Sequence, residues 1–195
     1  MPDMLKMEAS FRPCQWLNRI SRPSVLVVLI VLYLVFVLLL FPALGGGSGA
    51  VPLDLMFSYS PGQAYSMIGA YGPEVRHSYA ISAMTLDVAY PLTYSLLFSV
   101  WLTLLLKSNS RIACVIRMLP FVILIFDLLE NSGIVAMLVN YPQRLEMIAT
   151  ATSAATSLKW VFAATVIILT LGISLYRLVG ILLRRLKRNE SQKLT

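Results

Sequence analysis

An apolar run at 118–139, MLPFVILIFDLLENSGIVAMLV, is long enough to cross a bilayer as a helix, yet Asp127, Glu130 and Asn131 sit near its middle. Their i, i+3, i+4 spacing puts two acids and an amide on one helical face. Such groups are costly in hydrocarbon, so they face a protein interior or a polar cavity and mark a functional face. A helix of this kind does not stand alone in lipid. The chain that carries it must be a bundle.

The composition agrees. Of 195 residues, 58% are hydrophobic and only 13% are charged, far below a soluble domain of this length. The net charge of +7 could suggest nucleic acid as a partner. Its distribution excludes that reading, because the basic residues flank apolar spans as topology signals and anionic-lipid contacts do. His77 is the only histidine and there is no CxxC, so neither a metal site nor a cofactor is expected. Cys14 and Cys114 both fall on the side read below as cytoplasmic, where a structural disulfide is not expected. No GxSxG, HExxH, P-loop or dinucleotide fingerprint is present.

Taken in order, residues 1–23 mix apolar and basic side chains and read as a cytoplasmic interfacial segment interrupted at Pro13. The apolar run at 24–44 is too long for a signal-peptide core and lacks a small-x-small cleavage site, so it reads as a retained first span. Residues 45–78 form an outer loop that opens with GGGSG. Within it, Ser60-Pro61 predicts an N-cap and the start of a short cap helix. Gly72 is expected to end that helix, with Pro73 starting the next. The second span is read at 79–106 and the third at 112–139, with Pro120 and Gly133 as irregularities. The fourth is read at 145–183, leaving 184–195 as a basic cytoplasmic tail. In the second span, Pro91 deprives the carbonyl of Asp87 of its helical donor and should bend the helix. In the fourth, Ala149, Ser153 and Ser157 repeat at four, as do Ala151 and Ala155, a pattern that lets helices approach closely.

Charge counting orients the chain. Four Lys or Arg precede the first span, three lie at 107–117 and six lie from Arg177 onward, against Arg76 and Arg144 on the other side. A multi-pass cell-membrane protein with both termini cytoplasmic is expected. The fold class is all-α, an integral membrane bundle of four transmembrane helices with a short outer cap helix.

Depth follows from the helical rise. With Arg117 as the inner edge of the third span, Asp127 lies ~15 Å deep and Glu130 and Asn131 ~20 Å. Tyr94 lies ~20 Å deep from Lys107, Asp87 ~30 Å, and Lys159 ~27 Å from Arg177. Two levels are therefore expected: Tyr94 with Glu130 and Asn131 near mid-membrane, and Asp87 with Lys159 near the outer surface. The functional expectation is an outward-opening polar cavity that binds a lipid or an amphipathic small molecule. Asp87, Tyr90, Tyr94, Asp127, Glu130, Asn131 and Lys159 are its ligand-binding candidates. No reaction is assigned. Glu130 and Asp127 are the proton-active groups if there is one, and otherwise serve as hydrogen-bonded helix glue.

Two further readings stand beside this one. The first is a proton-coupled transporter. The second is a non-catalytic subunit of a membrane complex, docking a membrane protein or a second copy through the small-residue face at 149–157. Gly72-Pro73-Glu74-x-Arg76-x-x-Tyr79, Asp87-x-x-Tyr90-Pro91-x-x-Tyr94 and Asp127-x-x-Glu130-Asn131 together resemble a pattern in an uncharacterised family of bacterial four-span integral membrane proteins. That resemblance implies the four-span fold and no activity. The architecture is also loosely similar to the emopamil-binding and sigma-2-receptor-like family of sterol-binding or sterol-isomerising bundles. His77, Glu130, Asn131 and Trp160 are residue types that family uses.

Overall fold

The computed structural model describes residues 12–45, 51–108 and 110–193. All regular structure among them is helical. Four segments are long and apolar enough to cross a membrane: Pro23–Ala43, Gly72–Leu105, Arg111–Asn140 and Glu146–Leu186. The chain is a multi-pass α-helical membrane protein.

Helix α1 (Arg12–Ile20) precedes the first span. Pro13 does not interrupt it. It occupies the first turn, where a missing N–H costs nothing. The expectation for residues 1–11 lies outside the described residues. The first span begins as α2 (Pro23–Val35), widens into a π-helical turn at Phe36–Leu40 and finishes as α3 (Phe41–Gly45). Pro42 accounts for the widening, since it cannot donate to Leu38 and its ring would clash with that carbonyl. Only 11% of this span is buried, so most of its surface is left for lipid.

The cap consists of a 3-10 turn at Leu53–Leu55 and α4 (Pro61–Ala70). Ser60 and Gln63 form the capping box that starts α4. The Gln63 N–H donates to Ser60 Oγ at 3.2 Å and the Ser60 N–H to Gln63 Oε1 at 2.8 Å. Gly72, at φ +75, supplies the left-handed turn into α5 (Gly72–Met84). The second span is therefore longer than 79–106 and is broken. Helix α5 ends at Met84, Thr85 leaves helical geometry at φ −120 and ψ −77, and α6 (Leu86–Leu105) continues. Helix α7 (Arg111–Asn140) runs unbroken through Pro120 and Gly133. Gly133 is not an irregularity but a point of close approach, because a Cβ there would run into the Thr152 side chain. Helix α8 (Glu146–Lys193) is one continuous helix that carries on past 184.

Two apolar clusters hold the bundle together. At the cap end, Leu53, Tyr65 and Ile68 pack on Ile134, Met137, Leu138 and Ala149. At the other end, Tyr94, Leu102, Ile123 and Val166 form the core. Ala149, Thr152, Ser153, Ala155 and Thr156 are buried within the chain, mainly where α7 packs on α8, whereas Ala151 and Ala154 are exposed.

Two sequence expectations are corrected at the basic end. Cys14 and Cys114 are joined by a disulfide, with Cα atoms 5.9 Å apart. Compartment chemistry argued against a bond but said nothing of proximity, and α1 folds back against α6 and α7 to bring the pair together. Arg117 is also not an edge residue, being only 2% exposed. Its guanidinium donates to the carbonyls of Leu106 and Ser108 and to Asn18 Oδ1 at 3.2 Å. It thus ties the end of α6 to α1 and satisfies carbonyls that a helix terminus leaves open.

Candidate functional site

With Arg117 inside the bundle, depth must be counted from exposed Arg111 instead. Glu130 then lies ~28 Å from Arg111, Asp87 ~27 Å from Leu105 and Lys159 ~27 Å from Arg177. The two expected levels merge into one, at the far edge of a hydrocarbon core ~30 Å thick. The cap sits directly on that level.

There the side chains pair differently from the two-level expectation. Lys159 Nζ pairs with Glu130 Oε2 and lies 3.8 Å from Asp127 Oδ1. It does not pair with Asp87. Tyr94 Oη donates to Asp127 Oδ2 at 2.6 Å, rather than meeting Glu130. Thr156 Oγ1 donates to Glu130 Oε1 at 2.7 Å. Glu130 is fully buried, and Asp127 and Lys159 are each 8% exposed. Burial of one charge is costly, and a partner at contact distance offsets much of that cost.

Asn131 turns to the other side of the same helix face. Its Nδ2 donates to the Asp87 carbonyl oxygen at 2.6 Å. Pro91 frees that oxygen, so the expected vacancy is present and a neighbouring helix fills it. The Asp87 carboxylate has a weaker partner, Ser82 Oγ at 3.5 Å. Tyr90 is half-buried and its ring packs on Tyr33, Phe36, Phe41 and Tyr94 at centroid distances of 5.0–5.7 Å. It belongs to the seam between the first two spans and not to the carboxylate cluster.

The cap closes the cluster from above. Lys159 Nζ donates to the Asp54 carbonyl at 3.2 Å, Trp160 Nε1 to Met56 O at 3.0 Å and Ser157 Oγ to Phe57 O at 2.9 Å. The Tyr59 N–H donates to Ser153 Oγ at 2.9 Å. Tyr79 Oη donates to Asp54 Oδ1 at 2.6 Å. Desolvation pushes the Tyr59 hydroxyl well above the ordinary phenol range, and the charges of Glu130 and Asp54 push the same way. The cluster is therefore roofed, not open outward.

An opening exists to the side. A groove of about 330 Å³ runs beside the Thr85 break, between α5–α6 and α7. Its walls are Ala83, Met84, Val88, Leu128 and Val135, and its polar atoms come from Asn131 and Ser132. Asn131 is thus shared between the groove and the backbone bond to Asp87.

Sequence reasoning missed Asp54, Tyr59, Tyr79 and Thr156. Asp54 is the one acid of the 45–60 segment, a signal available in the sequence. Thr156 lies three residues before Lys159, on its helical face, but was absorbed into a small-residue packing pattern. His77 is exposed on α5, apart from Glu130 and Asn131 in the cluster. Among the described residues, no group of three or more His, Cys, Asp or Glu is arranged to hold a metal ion. The chain matches no protein-family model, no curated protein and no solved structure.

Proposed function

We propose that this membrane protein binds a lipid or a lipid-like amphipathic molecule sideways, in the groove between α5–α6 and α7. The observation that carries this reading is the composition and place of the groove. It is mostly apolar and has two polar residues, and Asn131 in its wall lies ~30 Å of helical rise from Arg111, about the thickness of a hydrocarbon core. Its volume is at the small end of ligand pockets, which suits part of an amphiphile rather than a whole one. The roofed carboxylate–lysine cluster is the rigid wall behind it. Asn131 links the two, so a ligand polar group reaching Asn131 competes with the Asp87 carbonyl.

The test is mass spectrometry of lipids that co-purify with the protein. Wild type should enrich one species over the bulk membrane, and Ser132→Trp, which fills the groove from an exposed position, should lose it while remaining folded. Equal lipid profiles from the two folded proteins would contradict the reading. A proton-linked carrier is the second reading, favoured by buried Asp127 and Glu130 sharing Lys159, the one cation paired with them among the described residues. It predicts pH-driven flux in proteoliposomes that Glu130→Gln abolishes.

A further inference from the structure

Cys14 and Cys114 are the only cysteines of the chain and are 100 residues apart in sequence. The fold nevertheless joins them, and both are buried. Helix α1 is only nine residues long, too short to persist without tertiary support. Among its described side chains Cys14 and Leu17 are buried, while Gln15, Trp16, Asn18, Arg19 and Ile20 face outward. Besides the disulfide, Arg117 donates to Asn18 Oδ1 at 3.2 Å. Trp16 adds a ring contact to Phe121 at 5.9 Å.

We propose that the Cys14–Cys114 pair is a redox-sensitive latch that holds α1 against the basic ends of α6 and α7. The charge distribution places this end on the cytoplasmic side, where small thiols keep most disulfides reduced. A permanent bond is not expected there, but a reversible one is useful. The exchange balances with a monothiol such as glutathione. One thiolate attacks a cystine sulfur and forms a mixed disulfide, and a second releases it. Cys14 and Cys114 each gain a proton as thiols, and the two reductant molecules leave as one disulfide. Because the sulfurs are buried, attack requires α1 to lift locally, and the exposure of its other residues makes that opening easy.

The two states differ in one element. In the oxidised state α1 covers Cys114 and the guanidinium of Arg117 and buries its own Leu17. In the reduced state α1 loses its covalent tie and keeps the packing of Leu17 and the Asn18 bond, while Arg117 keeps its bonds to Leu106 and Ser108. The rest of the bundle does not depend on the latch.

The full chain in lipid nanodiscs is equilibrated with glutathione buffers from fully reduced to fully oxidised. Thiols are counted by maleimide labelling and intact mass, and amide hydrogen exchange is followed across residues 14–20. The latch predicts an intramolecular bond in oxidising buffer. It also predicts exchange of α1 at least about tenfold faster after reduction, with α6 and α7 unchanged. Cys14→Ser should exchange at the reduced rate in both buffers. Two free thiols in oxidising buffer, a bond between two chains, or equal protection of α1 in both buffers would each overturn the proposal.

Discussion

Asn131 Nδ2 lies 2.6 Å from the carbonyl oxygen of Asp87, the oxygen that Pro91 leaves without its helical donor. One helix thus repairs a defect in another, at the level where the membrane core ends. The bond predicts a specific rescue. Asn131→Ala should cost about 1–3 kcal/mol of unfolding free energy, the penalty of an unsatisfied buried acceptor. In a Pro91→Ala background the amide of residue 91 can serve Asp87, and the same Asn131→Ala change should cost less than half as much. Equilibrium unfolding in detergent micelles, run as a double-mutant cycle, measures the coupling.

Lys159 is the only cation paired with Glu130 and Asp127 among the described residues. Lys159→Met should destabilise the bundle by about 3–5 kcal/mol, since it strands buried carboxylates. The triple variant Lys159→Met, Glu130→Gln, Asp127→Asn should recover most of that loss. If Lys159→Met alone behaves as wild type in unfolding, the pairing is not a structural tie.

Gly133 permits the α7–α8 contact. Gly133→Ala should lose about 1–3 kcal/mol, as overpacking does, because the new methyl meets the Thr152 side chain. Thr152→Ala should rescue Gly133→Ala, whereas Thr152→Ser, which keeps an oxygen, should not. Thermal melts of the four proteins provide the comparison.

The cap should loosen in strong base. Burial raises the Tyr71 hydroxyl to about 12, and the nearby Asp54 charge adds to the rise. Tyr71 donates to Val51 O at 2.8 Å, a bond that the phenolate cannot make. Its folded-state value lies above the unfolded one. Its stabilising contribution is therefore complete below pH 10 and is lost as pH rises through about 12. Limited proteolysis of residues 51–72 against pH should show protection falling over that window. Tyr71→Phe, which lacks the titrating group, should flatten the fall.

Much of this was legible before any coordinates. Ser60 and Pro61 announce α4 because capping chemistry is local, and Pro91 announces the freed Asp87 carbonyl for the same reason. The partner of that carbonyl was not legible, because it depends on how α6 and α7 register against each other. That register was misjudged from one residue. A basic side chain near a helix start reads as a membrane edge, but Arg117 is buried and spends its donors on the end of α6. The six-residue offset to Arg111 is ~9 Å of rise, enough to split one polar level into two. The disulfide and the cap contacts of Asp54 and Tyr59 depend on chain segments 94 to 105 residues apart, for which a single sequence carries little signal. The Thr85 break also had no local marker, since the nearest proline lies six residues later.

An amphiphile is proposed to occupy the groove beside Thr85. A phospholipid carrying a photoreactive group on its acyl chain, irradiated with the protein in nanodiscs and mapped by peptide mass spectrometry, tests it most directly. The account predicts adducts concentrated on Met84, Val88, Leu128 and Val135, and their loss when excess unlabelled lipid competes. Adducts spread evenly over lipid-facing positions such as Val28 and Leu38 of the first span and Ile168 of α8, with no saturable excess in the groove, would contradict it.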